Sequence, residues 1–368
     1  MFADRIKNLT ASGIRKVFDL AAKMKNPVNF SIGQPDFDVP EEMKQAAIQA
    51  IQTGGNRYTV TQGLEELRIR IKAELQKSRQ FNPESVLVTS GTSGGLLLLM
   101  LVLINPGDEV LLPDPYFVMY RHLLNLVGGI ARYYNLYPNF QLNPLDIKKL
   151  ITEKTKLIII NSPSNPTGAV FPEASLRQVA EIAREHNLLV LSDEIYDAFV
   201  YDSPHCSIAT YYPNKTILLA GYSKSYGIPG WRMGYAAGPG DIIEKMTTLQ
   251  QFSFVCAPAP AQYGCIKAFD IDMRPQMELY KQKRDLIYQG LVERGFQVTK
   301  PSGSFYIFPA APGGDDQSFC EKAVEHEVLI IPGNTFSSSK THFRISFAVA
   351  NDVIVRGLDI LAKVAKLM

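Results

Sequence analysis

Between about residue 60 and residue 240 the chain alternates short aliphatic runs with longer amphipathic stretches, and this alternation restricts the fold more than any other feature. The runs Ser85–Thr89, Glu109–Leu112, Lys156–Ile160, Leu188–Leu191 and Thr216–Ala220 are nearly continuous in apolar or β-branched side chains. Strands of that kind are buried on both faces, as in a parallel sheet. Leu64–Arg79 places Leu64, Leu67, Ile71 and Leu75 on one helical face, and Gly95–Ile104 and Glu173–His186 also read as helices. Strand and helix in turn predict an α/β domain of three layers, a mostly parallel sheet covered by helices on both sides.

The flanks have a different texture. Residues 1–40 read as a helix followed by an irregular, proline-containing arm. From about residue 275, helices mix with alternating strands such as Gly303–Phe308 and His342–Phe347. With 368 residues the chain is too long for one core. The expected division is a large domain over 41–274 and a smaller α+β domain formed by both chain ends, 1–40 and 275–368.

Composition matters mainly for what it excludes. Apolar residues at 46% and charged residues at 20% are ordinary for a globular chain and argue against disorder. Thirty-eight Lys and Arg against 36 Asp and Glu leave a net charge of +2, too weak a field to suggest a nucleic acid partner. A small anionic ligand needs only a few local cations and stays open. The longest apolar run, Leu96–Ile104, is nine residues, and a bilayer span needs about 20, so no membrane association is expected. Met1–Lys7 has no apolar signal core, and Asp4 argues against an organellar presequence, which points to the cytoplasm. Cys206, Cys256, Cys265 and Cys320 form no Cys-x-x-Cys pair, and the five histidines lack ligand spacing, so no metal is expected. No internal repeat or low-complexity tract is present.

In open α/β sheets, ligands bind beyond the carboxyl ends of the strands. Ser90-Gly91-Thr92-Ser93-Gly94-Gly95 follows the first run and opens a helix, and Pro113-Asp114-Pro115-Tyr116-Phe117 follows the second. The third leads into Asn161 through Asn165-Pro166-Thr167-Gly168, the fourth into Ser192-Asp193-Glu194-Ile195-Tyr196, the fifth into Gly221-Tyr222-Ser223-Lys224. Taken singly, each has an ordinary reading. The glycine turn is a helix cap, Asn165–Gly168 a turn, Asp193 a cap, Tyr116 or Phe117 core, and Lys224 a solvated amine. The glycine turn also lacks the Gly-Lys-Ser/Thr of a P-loop and the Gly-x-Gly-x-x-Gly of a dinucleotide fold, which disfavours a Rossmann-type dehydrogenase. Five successive strands delivering such groups to one edge is improbable by chance, and that raises all of them together.

Ser223-Lys224-Ser225-Tyr226-Gly227-Ile228-Pro229-Gly230-Trp231-Arg232-Met233-Gly234 resembles the Ser-Lys…Gly-x-Arg-x-Gly signature of the class I aminotransferases, the fold type I enzymes that use pyridoxal 5′-phosphate. Asn165-Pro166-Thr167-Gly168, Asp193-Glu194-Ile195-Tyr196 and Arg344-Ile345-Ser346 stand in that family's order and approximate spacing, and the resemblance runs from Gly33 to the C-terminus.

The resemblance implies a role for each residue. Lys224 corresponds to the Schiff-base lysine, which also moves a proton between substrate Cα and cofactor, a task for a neutral amine. Asp193 corresponds to the carboxylate paired with the pyridine nitrogen, and Asn165 and Tyr196 to donors on the ring's 3′-oxygen. Phe117 stands where an aromatic ring stacks on the cofactor. The phosphate would rest on Gly91, Thr92 and Ser93 at a helix start, with Arg232 and Ser223 adding donors. Tyr58 corresponds to a tyrosine reaching the phosphate from a partner subunit, which implies a homodimer with shared active sites. Gly221 departs from the family, where many relatives carry Ser, so a phosphate contact is expected to be missing, with Ser223 as compensation. Arg344 corresponds to the arginine that grips the substrate α-carboxylate, and Gly33 to the arm that closes over it.

The implied reaction moves an amino group between an L-amino acid and a 2-oxo acid. Dicarboxylate specialists need a second cation. The stretch Gln250–Pro260 contains no Arg or Lys, and the third position of the phosphate turn is Ser93 where one branch has Lys. An aromatic, aliphatic or alanine-type donor is therefore favoured over aspartate, with 2-oxoglutarate or pyruvate as acceptor. Phe252, Phe254 and the segment Arg132-Tyr133-Tyr134 are candidates for an apolar pocket or for ordinary packing, and Arg15 or Arg274 for a rescuing cation. Two rival readings share the fold: a C–S β-lyase, and a non-enzymatic regulator.

Overall fold

The structure is a computed structural model that describes residues 2–7, 9, 24 and 26–368. Most of the helix expected within residues 1–40 lies outside the described residues, which contain one short helix there, Asp4–Lys7. Strand β1 (Val28–Asn29) belongs to a small sheet. The next seven strands are β2 (Ser85–Ser90), β3 (Glu109–Asp114), β4 (Ile130–Asn135), β5 (Thr155–Asn161), β6 (Leu189–Asp193), β7 (Thr216–Gly221) and β8 (Met233–Gly238). They form one sheet in the order β2-β8-β7-β6-β5-β3-β4.

Pairing is parallel from β4 through β3, β5 and β6 to β7, while β8 runs antiparallel to both β7 and β2. One reversed strand between two of like direction sends the carboxyl ends of β2, β3, β5, β6 and β7 to a single edge. The amino end of β8 arrives at the same edge. Alternate side chains of β5 feed opposite layers. Leu157 and Ile159 pack with the helix Gly91–Leu103, and Ile158 and Ile160 pack with the helix Glu173–Glu185. Each such fully buried aliphatic side chain contributes about 1.5–3 kcal/mol. The expected three-layer α/β class is the one observed.

The smaller sheets use both ends of the chain. Strand β1 pairs in parallel with β10 (Val328–Leu329), and β9 (Tyr306–Ile307), β12 (Phe343–Ser346) and β11 (Ile331–Pro332) form an antiparallel set. Val28 and Phe30 share a core with Ile354, Leu358 and Leu361 of the helix Asn351–Ala365. The expected strand Gly303–Phe308 is split into a single antiparallel bridge from Gly303 to Val200 and the strand β9, with Ser304 turning through a left-handed φ of 51° between them. The helix expected from Gly95 starts at Gly91, so the glycine turn is its first turn.

Candidate active site

The anion cradle is made by glycines in contact. The helix Gly91–Leu103 begins with a left-handed Gly91 (φ 66°), and its N-cap Ser90 makes no side-chain capping bond. A Cβ on Gly234 of β8 would stand 2.6 Å from Gly91 C and Thr92 N, and one on Gly221 of β7 would stand 2.8 Å from Gly234 Cα. The helix start therefore sits directly on the sheet, with first-turn amides free for an anion. Gly221 has no room for a side chain, since a Cβ would also stand 2.8 Å from Met233 O. Arg232 immediately precedes β8 in a left-handed conformation (φ 56°), which for a residue other than glycine costs about 1–2 kcal/mol. There its guanidinium comes so near Gly91 that a Cβ would be 2.6 Å from Nη2, while Nη1 donates to Pro229 O at 2.9 Å. Among the described residues no carboxylate pairs with Arg232.

Two adjacent carboxyls at the end of β6 are treated in opposite ways. Glu194 is buried and accepts from Arg79 Nε (2.8 Å), His205 Nε2 (2.7 Å), Ser207 Oγ (2.5 Å) and Ser192 Oγ (2.8 Å). Burial opposes its ionisation, but His205 and Arg79 prevail and hold it at about 2. Asp193 is also buried, and its oxygens accept only from Tyr120 Oη (2.6 Å) and Ile195 N (3.3 Å) among the described residues. Burial pushes it up to about 6 against those two bonds. Asn161, the last residue of β5, donates to the Asp193 carbonyl (3.1 Å) and accepts from Asn165 N (3.1 Å), tying the two strand ends together.

Lys224 follows β7, and its Nζ donates to Gly33 O at 2.7 Å. Burial, with Arg232 and Arg344 nearby, lowers its pKa to about 8. Arg344 on β12 is buried between the rings of Tyr306 and Phe336, 4.5 and 4.8 Å from their centroids. It donates to Asn165 Oδ1 (3.0 Å) and Ser31 O (2.9 Å), and its buried Nε has no partner among the described residues. Both acceptors are neutral. A buried guanidinium with no carboxylate is costly unless a ligand supplies the anion. Tyr196 Oη and Tyr306 Oη lie 2.9 Å apart. These groups share one cavity of about 240 Å³.

Residues 25–360 match the family model for aminotransferases of class I and II. The chain belongs to that family. A probable aspartate aminotransferase of Methanocaldococcus jannaschii is 38% identical over 99% of this chain and 100% of that protein. Aromatic-amino-acid aminotransferase 2 of Thermococcus litoralis is 34% identical, covering 99% and 98%. The aspartate aminotransferase of Thermus thermophilus solved with maleate superposes with a TM-score of 0.96 at 30% identity, covering 99% of each chain. This aminotransferase is accordingly pyridoxal-phosphate dependent.

In the aminotransferase cavity the structure brings together Gly33, Thr92, Ser93, Phe117, Asn165, Asp193, Tyr196, Ser223, Lys224, Arg232 and Arg344. Gly91 stands behind Arg232 and outside the wall, and Tyr58 is 83% exposed on the surface. Of the apolar-pocket candidates, Phe254 lies against the glycine turn, 3.7 Å from where a Cβ on Gly94 would stand, and the others go elsewhere within this chain. Tyr134 is buried and donates to Ile159 O, Tyr133 packs on Tyr116, and Phe252 is 84% exposed. Arg274 is exposed and pairs with Asp272, and Arg15 lies outside the described residues. Sequence reasoning missed Tyr120, Asn161 and Tyr306, which line the same cavity. Asn161 was legible as the residue directly after an aliphatic run, whereas Tyr120 and Tyr306 carry no local signal.

Proposed function

We propose that Lys224, Asp193 and Arg344 are the centre of a transamination between an L-amino acid and a 2-oxo acid, with uncharged donor side chains preferred over aspartate. Three features support a fit to pyridoxal 5′-phosphate. The open helix start with unpaired Arg232 suits a phosphate dianion, the under-satisfied Asp193 suits a protonated ring nitrogen, and the amine of Lys224 suits an aldehyde. When bound, the cofactor supplies a carbonyl that takes up an amine and a ring that accepts the electron pair left at the substrate Cα.

The protein's own residues do the rest. Thr92 and Ser93 offer amides and hydroxyls to the phosphate, and Arg232 and Ser223 add donors. Phe117 covers one face of the ring, and Asn165 and Tyr196 donate to its 3′-oxygen. Arg344 holds the substrate α-carboxylate and so orients the Cα–H bond toward Lys224. With a lowered pKa, Lys224 Nζ can take the Cα proton and return it. Gly33 lets the arm approach closely, since a Cβ there would stand 2.2 Å from Tyr306 Oη. The cations in the cavity wall, Lys224, Arg232 and Arg344, all have these tasks, which leaves no further cation among the lining residues for a second carboxylate on the side chain.

The active unit is a homodimer in the cytoplasm. Tyr58, Val60 and Phe252 are large apolar side chains left exposed, which supports an association surface there, with Tyr58 reaching the partner's phosphate. Four unbridged cysteines agree with a reducing compartment. Residues 41–274 form the cofactor-binding domain, and 1–40 with 275–368 the smaller one, a division supported by the pairing of β1 with β10.

The observation that carries this reading is one cavity joining a low-pKa amine, a buried carboxylate short of donors and an unpaired guanidinium. The test mixes loaded enzyme with single amino acids and follows loss of the cofactor's visible band. Aromatic, aliphatic and alanine donors convert it, and Lys224→Ala abolishes conversion. Turnover retained in Lys224→Ala rejects the lysine's role. Aspartate faster by about tenfold than every uncharged donor rejects the side-chain preference. In the cofactor-free protein, the rate of pyridoxal phosphate capture rises with pH, with its midpoint near 8 rather than near 10.5.

A further inference from the structure

We propose that Tyr120 is a positioning residue for the reaction: its phenol donates to Asp193 Oδ2 and holds that carboxylate ionised in the cavity wall, ready for the ring nitrogen. The inference rests on the assignment of Asp193 above. The direction of the 2.6 Å bond is fixed by chemistry, since an ionised carboxylate only accepts. Tyr120 is 0% exposed and Asp193 6%, so the bond is shielded from solvent except through the cavity that both residues line. A carboxylate has room for about four donors. Glu194 next door receives four, whereas Asp193 receives only the Tyr120 hydroxyl and one longer backbone bond among the described residues. Losing the phenol would leave a buried carboxyl with a single donor, which takes up a proton instead of staying charged.

The location strengthens the case. Phe117 is the N-cap of the helix Val118–Val127, and Tyr120 follows three residues later on the same face. Their rings meet edge to face at 5.6 Å. One rigid helical turn therefore carries both the ring that covers the cofactor and the hydroxyl that prepares its nitrogen's partner. Burial and the Asp193 charge keep the phenol itself protonated and able to donate.

The test measures, by titration calorimetry on cofactor-free protein, affinity for pyridoxal 5′-phosphate and for its 1-deaza analogue, in which C–H replaces the ring nitrogen. Wild type binds the natural cofactor more tightly, and Tyr120→Phe loses about tenfold to a hundredfold for it, as for one hydrogen bond to a charged group. Its affinity for the deaza analogue changes by less than about threefold. Equal loss on both ligands makes Tyr120 a packing residue and overturns the inference. A wild type indifferent to the ring nitrogen overturns the Asp193 assignment instead. Should Tyr120→Phe misfold because a buried charge is stranded, Tyr120→Phe with Asp193→Asn restores folding and supports the pairing. A double variant that also misfolds counts against it.

Discussion

Asp193 and Glu194 differ in the number of donors the fold brings to each. Glu194 is satisfied and structural: it ties the helix Glu65–Arg79, through Arg79, to the turn that carries Tyr196. Asp193 stays unsatisfied, and its carboxyl sits at about 6 where the unfolded chain would have 3.8. A raised carboxyl pKa stabilises the fold only at low pH. The contribution is intact below 3.8 and disappears as pH climbs through 6, so above 6 the cofactor-free protein holds a charge that burial penalises. A shift of that size corresponds to about 3 kcal/mol. Asp193→Asn in cofactor-free protein should therefore raise the apparent Tm by about 3–6 °C at pH 7.5. The gain should vanish at pH 4, while cofactor affinity falls at both. Thermal scans at the two pH values check this, and a Tm unchanged or lowered at pH 7.5 refutes it. The sequence revealed Asp193 because it follows an aliphatic run. Tyr120 stayed hidden because its partner lies 73 positions away and meets it only in the folded sheet.

At the scale of elements, β8 decides whether the cradle exists. Four of its six residues Met233-Gly234-Tyr235-Ala236-Ala237-Gly238 are Gly or Ala and it lacks an aliphatic run, so strand periodicity left it unread. β4 escaped for a different reason: it is an edge strand with mostly exposed side chains. Glycine at 234 is required by contact with the backbone of Gly91 and Thr92, neither of which can rotate away. Gly234→Ala should lift the start of the helix Gly91–Leu103 off the sheet at a cost of about 1–3 kcal/mol. The expected result is cofactor affinity lower by about fivefold to a hundredfold with far-ultraviolet dichroism preserved. Unchanged affinity would show that the cradle tolerates the methyl.

Across the whole molecule, the segment around Tyr58 is bound to the end of the helix Gly240–Gln251 and to the helix Ala259–Lys267. Gln250 Nε2 donates to Thr61 O at 2.8 Å, and Gln262 Nε2 to Thr59 Oγ1 at 3.1 Å. Tyr58, Val60 and Phe252, all exposed, lie on or beside the segments these bonds join, and exposed large apolar side chains of this kind are what an association surface uses. For the proposed dimer, Phe252→Glu should yield monomers in sedimentation velocity and weaken cofactor binding, because the partner's Tyr58 leaves the phosphate. A wild type that sediments as a monomer defeats the proposal outright.

Local sequence settled the layer class, the five strands that supply the site edge and the residues that follow each of them, because short-range periodicity and turn chemistry dictate those features. What it could not settle was the reversed strand that brings Arg232 to the same edge, the tyrosines that complete the cavity, and which of two neighbouring carboxyls is left wanting a partner. Those outcomes depend on contacts between residues far apart in the chain, and a side chain's proton affinity follows from the donors and the water that the assembled fold allows it.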